Sequence, residues 1–213
     1  MKRKSTRFSF LLVLVILISV KIQALPTING VTENTDPVGL YQKFELTVDL
    51  TATYTNPYDS TQILLQCIFT SPTGSKFTVD GFYYQNYNLT DPYTNTMSVN
   101  GSPVWKIRFA PRELGSWSYA VTVTDATGSY TYSAQTFVCQ YSSSHGFVRK
   151  SSNNKYFKFD DETQFFPVGE NIAWWAGGVG DYKTWCDKMI AQNGNFIRVW
   201  LASWGFSIEW NNT

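Results

Sequence analysis

Apolar side chains recur at every second position through residues 40–141, and this period-two pattern constrains the chain more than any other feature. Phe44, Leu46, Val48 and Leu50 alternate with Lys43, Glu45, Thr47 and Asp49. Ile63, Leu65, Cys67 and Phe69 form a second set, followed by the turn residues Ser71, Pro72, Thr73 and Gly74. Phe77 and Val79 mark the next strand. Trp105, Ile107 and Phe109 alternate with Lys106 and Arg108, and after a turn over residues 111–115 the pattern resumes with Trp117, Tyr119, Val121 and Val123. A hairpin turn near Gly128 leads to a last strand holding Phe137 and Cys139. Successive strand side chains point to opposite faces, so each set predicts a strand with one buried face. Several such strands separated by Gly, Pro, Asn and Asp, with no helical period among them, predict an antiparallel β-sandwich of roughly 100 residues.

Upstream of the sandwich, Lys2, Arg3, Lys4 and Arg7 precede an apolar run over residues 8–20, and Ala24 precedes Leu25 and Pro26. A basic segment, a short apolar stretch and a small residue form the layout of an export signal, expected over residues 1–24. Ile22 stands where a smaller residue suits cleavage after Ala24. The alternative is an uncleaved membrane anchor, but the run is shorter than the ~20 residues that cross a bilayer. A secreted or extracytoplasmic location is therefore expected. Asn88, Asn100 and Asn211 each open an Asn-x-Ser/Thr triplet, which matters only in a host that glycosylates exported proteins.

Seventeen Lys and Arg stand against sixteen Asp and Glu, which leaves no basic excess to neutralise a phosphate backbone and excludes nucleic acid as an expected partner. Aromatic residues make up 17% of the chain, with eight Trp, a composition suited either to an aromatic core or to stacking on flat ligand faces. Trp105 and Trp117, which alternate with polar neighbours, are assigned to the core. Three cysteines, Cys67, Cys139 and Cys186, leave at least one without a partner in the chain. Cys67 and Cys139 both fall on the apolar parity of strands, so a disulfide joining two packed sheets and a pair of buried free thiols both remain open.

Past a serine-containing linker at residues 141–145 the pattern changes. Two short strands are predicted around residues 146–150 and 156–159, with a turn between, and an apolar segment runs through Phe165, Phe166, Pro167 and Val168. Asp181 offers an N-cap for Tyr182, Trp185, Cys186, Met189 and Ile190, which lie on one helical face. Asn193 and Gly194 supply the left-handed residue that ends many helices. Phe196, Ile197, Arg198, Val199, Trp200 and Leu201 then form a nearly continuous apolar run, as in a strand buried on both faces. Strand, helix, strand is the repeating unit of a parallel α/β fold.

The stretch 104–125, with Trp-Lys-Ile-Arg-Phe-Ala-Pro and Gly-Ser-Trp-Ser-Tyr, resembles the end of an immunoglobulin-like domain of unknown function that precedes the barrels of glycoside hydrolases. Gly146-Phe147-Val148, Tyr156-Phe157, Phe165-Phe166-Pro167-Val168-Gly169 and Phe196-Ile197-Arg198-Val199-Trp200 are similar to the small hairpin, first strand and second strand of those barrels. The resemblance implies a mainly β chain: an immunoglobulin-like β-sandwich over residues 25–144, followed over 145–213 by the first two β/α units of an incomplete (β/α)8 TIM barrel of clan A type, acting on a polysaccharide or oligosaccharide. Such a barrel needs about 250 residues, so the chain is expected to be an N-terminal fragment.

Glycosidic cleavage ordinarily uses two carboxylates, and in the resembled barrels these follow the fourth and seventh strands. No catalytic residue is therefore expected within the chain. Substrate contacts are expected from Glu170 and Asn171 past the first barrel strand, from Trp174, Trp175, Trp200 and Trp204 as stacking surfaces, and from Arg198. Arg198 sits in an otherwise apolar strand, where burial demands an acidic partner. The resemblance places such an Arg beneath the site, near the catalytic carboxylates. Asp160, Asp161 and Glu162 are expected to be a solvated charge run. His145 is the sole histidine, and with no ligand cluster around it no metal is expected. Gly177, Gly178 and Gly180 lack the spacing and the Lys-Ser/Thr of a phosphate-binding loop, so no cofactor is expected either.

Overall fold

A computed structural model describes residues 23–91, 94, 96–152, 155–172 and 179–200. The segment expected to direct export, apart from its last residues, together with Trp174, Trp175, Trp204 and Asn211, lies outside the described residues. No helix of the described residues is long and apolar enough to cross a membrane.

Ten strands build two facing sheets. They are β1 (Thr27–Glu33), β2 (Val38–Gly39), β3 (Phe44–Thr51), β4 (Ile63–Thr70), β5 (Lys76–Asp80), β6 (Phe82–Asp91), β7 (Thr96–Phe109), β8 (Gly115–Asp125), β9 (Gly128–Thr131) and β10 (Gln135–Gln140). One sheet has the order β1-β3-β7-β6; the other has β2-β10-β8-β4-β5, with β9 also paired to β8. All these pairings are antiparallel except the short β2–β10 contact.

The period-two residues meet between the sheets. Phe44, Leu46, Val48 and Ile107 face Leu65, Cys67, Phe69, Trp117, Val121, Val123 and Phe137, each at most 2% exposed. Phe44 stacks on Phe137 with ring centroids 3.9 Å apart, and Phe69 on Phe109 at 4.2 Å. Trp105 and Trp117 both lie in this core, as their parity requires.

Strands β1, β2, β6 and β9 have no counterpart in the sequence pattern. A register shift between Ile28 and Gly30 breaks the alternation of β1. Before Trp105, β7 has no pairing with β3 and runs with β6 alone as a two-stranded arm. Tyr87 and Leu89 stand opposite Val99 and Met97, and Asn88 opposite Ser98, so one face of the arm is apolar and the other polar, and both are exposed. With no second layer behind it, the arm carries no buried stripe for a hydropathy pattern to report.

Cys67 and Cys139 lie in the same sheet, on either side of β8, and both are buried free thiols. Cys67 pairs with Val121 and Cys139 with Gly115, an offset along β8 of ~20 Å at about 3.4 Å per residue. A disulfide spans ~6 Å between Cα atoms, so of the two alternatives left open by the sequence the pair of buried free thiols is the one found. Burial pushes the Cys67 thiol up to about 12 and raises that of Cys139. Cys186 is only half-buried. A thiol reagent at neutral pH is expected to modify Cys186 alone in the native chain and all three cysteines after denaturation; two fast-reacting thiols in the native chain would contradict this packing.

Past the sandwich, β11 (Arg149–Lys150), β12 (Phe157–Lys158) and β13 (Gln164–Phe165) form a small antiparallel sheet. In the acidic run Asp161 and Glu162 are exposed, as expected of a solvated turn, while Asp160 is half-buried and ties the turn to the sheet. Asp160 accepts from the Phe147 backbone N–H and from Arg149 Nε, both at 2.8 Å, and Asp161 bonds His145 Nδ1 at 2.7 Å. Phe147 lies between the guanidinium groups of Arg112 from the sandwich and Arg149, 5.9 and 5.5 Å from its ring centroid.

The chain closes its described part with β14 (Gly169–Asn171), α1 (Val179–Ala191) and β15 (Phe196–Arg198), the two strands pairing in parallel. The apolar segment 165–168 therefore splits, Phe165 joining the small sheet and Gly169 opening the parallel strand. Asp181 is the third residue of α1 rather than its N-cap. At the other end Asn193 takes the left-handed conformation, with φ 61°. The Asn193 N–H bonds the Ile190 carbonyl and the Gly194 N–H bonds that of Met189, both at 2.9 Å, the two bonds of a Schellman stop. The described residues thus make a mainly β chain of antiparallel sheets with one helix and one parallel crossover.

Candidate functional site

In parallel strands joined by a helix, side chains at the carboxyl ends converge on one rim. That rim carries Asn171 at the end of β14 and Arg198 at the end of β15, and these two residues are register partners on adjacent strands. Trp200 lies two residues further on and is 42% exposed. Strand alternation puts Asn171 and Arg198 on one face and Glu170 on the other. Glu170 lines a cleft of about 440 Å³ together with Val168 and the α1 residues Trp185, Lys188 and Met189. The residues expected to act together therefore fall on two sides of the strand pair.

Arg198 is exposed, against the expectation of a buried guanidinium, and has no ion-pair partner among the described residues. Its backbone carbonyl accepts from the Ile172 N–H at 2.9 Å, which continues the parallel ladder one residue past β14. The apolar run around it reads as a strand buried on both faces. Here Phe196 and Ile197 remain 46% and 37% exposed, because the described residues cover neither face of β15. Chemically, the rim offers an amide, a guanidinium and an indole, groups that hydrogen-bond hydroxyls, pair with a carboxylate and stack on an apolar ring face. Among the described residues no three His, Cys, Asp or Glu side chains come together at metal-binding distance.

Gly169 fixes this geometry. A Cβ there would fall on the carbonyl oxygen of Phe196, a backbone atom that cannot turn aside. Gly169→Ala is expected to part β14 from β15, so that trypsin cleaves at Lys183, Lys188 and Arg198 at least about tenfold faster while the sandwich keeps its melting temperature. Unchanged cleavage would show that the strand pair does not hold α1 in place.

Comparison with known proteins gives a family match within the sandwich and one solved structure of similar fold. Residues 37–124 match a family described as a domain of unknown function (DUF5060). The fold is similar to a "putative glycoside hydrolase" from Bacteroides vulgatus, at 25% sequence identity and a TM-score of 0.56, over 78% of this chain. This chain spans 28% of the length of that protein. No curated protein matches it.

Proposed function

We propose that the chain is the N-terminal part of a secreted glycoside hydrolase, in which residues 25–144 form an accessory sandwich and residues 145–213 begin a (β/α)8 barrel. The observation that carries this reading is the extent of the structural likeness. Its 78% coverage is more than the sandwich alone can supply, which supports a likeness that continues past the sandwich. The basic and then apolar N-terminal segment supports export.

Within that barrel, Asn171 and Arg198 sit at the carboxyl ends of the first two strands, the end where barrel enzymes build their sites. The Asn171 amide can donate to and accept from a sugar hydroxyl. Arg198, which has no acidic partner among the described residues, is placed to pair with a carboxylate from a later strand and hold it ionised. Trp200, and by sequence Trp174, Trp175 and Trp204, supply indole faces for apolar sugar surfaces. Glu170 faces α1, on the side away from Asn171 and Arg198, and is assigned a structural part. The proton donor and the nucleophile or base are contributed by later strands, so the described residues bind substrate and the chain does not cleave it unaided.

Reducing-end release from cellulose, xylan, mannan and related neutral polysaccharides tests the proposal. The product of the complete reading frame is expected to cleave at least one of them and the 213-residue chain none. Cleavage by the 213-residue chain itself would contradict it.

A further inference from the structure

The loop between β3 and β4, residues 52–62, is cross-tied by its own polar side chains. Gln62 Oε1 accepts from the Thr55 and Asn56 backbone N–H groups at 3.0 and 3.2 Å, and Asp59 accepts from Thr61 N–H and from Gln62 Nε2 at 2.9 and 3.1 Å. Asn56 Oδ1 accepts from the Tyr58 N–H at 3.0 Å. The Thr53 N–H donates to Asp125 Oδ2 at 2.8 Å, which anchors the loop to β8. What this framework presents to solvent is Tyr58, 75% exposed. Holding a large aromatic ring mostly in water on a fixed loop adds little to the fold, and it lowers the ordering cost of a ligand contact.

Tyr58 stands at 85° to Tyr83 with ring centroids 5.8 Å apart, so the two rings form the floor and wall of a corner. Tyr83 packs on Trp105 at 5.5 Å, and Trp105 donates its indole N–H to the Tyr54 hydroxyl at 3.4 Å, which roots the corner in the core. The corner opens onto a cleft of about 290 Å³ that Ser60 and Asp80 also line, near the lower end of small-molecule sites at roughly 300–1,000 Å³. Asp80 Oδ1 accepts from Gln66 Nε2 at 2.8 Å, and its Oδ2 has no hydrogen-bond partner among the described residues. No Lys, Arg or His lines the cleft.

We propose that this cleft in the sandwich binds a neutral saccharide, whose apolar ring face stacks on Tyr58 and whose hydroxyls donate to Asp80. The ring corner selects a flat ligand with an apolar face, and the open carboxylate oxygen selects a hydroxyl donor. The same uncompensated carboxylate repels uronate or sulfate groups, which separates a neutral saccharide from an acidic one. The cleft is distinct from the rim of β14 and β15 and needs no cleavage chemistry. The choice of saccharide rests on the hydrolase reading above, but the binding itself does not.

Amide NMR titration of the 213-residue chain with cellohexaose, xylohexaose and mannohexaose, with hexagalacturonate as the acidic comparison, tests the site. At least one neutral oligosaccharide is expected to bind with a Kd of about 1 mM or tighter and to shift the amides of residues 57–60 and 80–83. Tyr58→Ala is expected to weaken binding at least about tenfold and Asp80→Ala several-fold, while Tyr58→Phe keeps it. Tyr58 is a surface residue, and an unchanged melting temperature shows that its variants remain folded. No shift at these amides with any of the three, binding indifferent to Tyr58→Ala, or a preference for hexagalacturonate would each overturn the proposal. Binding here without hydrolysis by the complete product would leave this site standing and remove the enzyme; hydrolysis without binding here would do the reverse.

Discussion

Replacing Glu45 with Gln is expected to lower the melting temperature of the sandwich by about 10 °C or more at pH 7, from a loss of about 2–3 kcal/mol. Glu45 stands on the outer face of β3, yet its side chain is only 9% exposed. Lys106 Nζ reaches Oε1 at 2.7 Å and Arg108 Nε reaches Oε2 at 2.6 Å, with Lys43 at 3.5 Å. The cations are themselves held, Lys106 over the Tyr84 ring at 4.7 Å and Arg108 over Phe82 at 4.9 Å. Burial pushes the carboxyl up, but the hydrogen bonds from Lys106 and Arg108 outweigh it and hold the group at about 2 against an ordinary value of 4.5. Because the folded value is the lower one, the stabilisation is fully present above about pH 4.5 and is lost as the pH falls through about 2. The full shift would correspond to about 3 kcal/mol, and solvent screening at the half-exposed Arg108 trims it. Thermal unfolding at a series of pH values checks the prediction: wild type and Glu45→Gln should differ most at neutral pH and converge towards pH 2. A constant gap across that range would show that the variant loses packing rather than charge pairing.

Trp117→Ala is expected to cost about 3–5 kcal/mol, a large part of the stability of a domain this size, and to leave the sandwich partly unfolded at 37 °C. Trp117 is completely buried. It stacks on Phe137 at 6.2 Å, meets Phe109 edge-on at 5.2 Å and donates its indole N–H to the Glu113 carbonyl at 2.8 Å. Truncation removes an aromatic ring from contact with both sheets and leaves that carbonyl unpaired. Denaturant unfolding followed by far-ultraviolet circular dichroism measures the effect, with Trp185→Ala on α1 as the comparison. Trp185 is 37% exposed and outside the sandwich, so its loss should leave the main transition in place. Equal effects from the two would mean that the sandwich and the strand pair unfold as one unit.

The sequence makes the sandwich core legible because alternation there reports a real partition between core and solvent. Phe44, Leu46 and Val48, Ile63 to Phe69 by twos, and Trp117 to Val123 by twos all point inward as their parity requires. The same rule fails where that partition is absent. The β6–β7 arm alternates apolar and polar residues but buries neither face, so its period marks no core, and the bulge in β1 breaks the alternation there. Buried charge is missed for a related reason: Glu45 sits at a polar parity, and only the register that brings Arg108 directly opposite it shows that the outer face is closed over. The stop of α1 is readable because Asn193-Gly194 carries its own conformational chemistry, whereas the start of the helix is displaced from Asp181.

At the site, sequence finds residues but not faces. Glu170 and Asn171 are neighbours in the chain and therefore lie on opposite sides of a strand, one towards α1 and one towards the rim with Arg198. Tyr58 and Asp80 were invisible as a pair, since they come from a loop and a strand end that only the pairing of β4 with β5 brings together. An isolated Tyr in a polar loop gives no signal by itself.

Sequencing the native reading frame past codon 213 separates a hydrolase from a binding module most directly. An N-terminal barrel segment requires the frame to continue for about six further strand–helix units, with two carboxylates at the ends of later strands. A stop codon directly after Thr213 would contradict that reading and leave carbohydrate binding by the sandwich as the function to pursue.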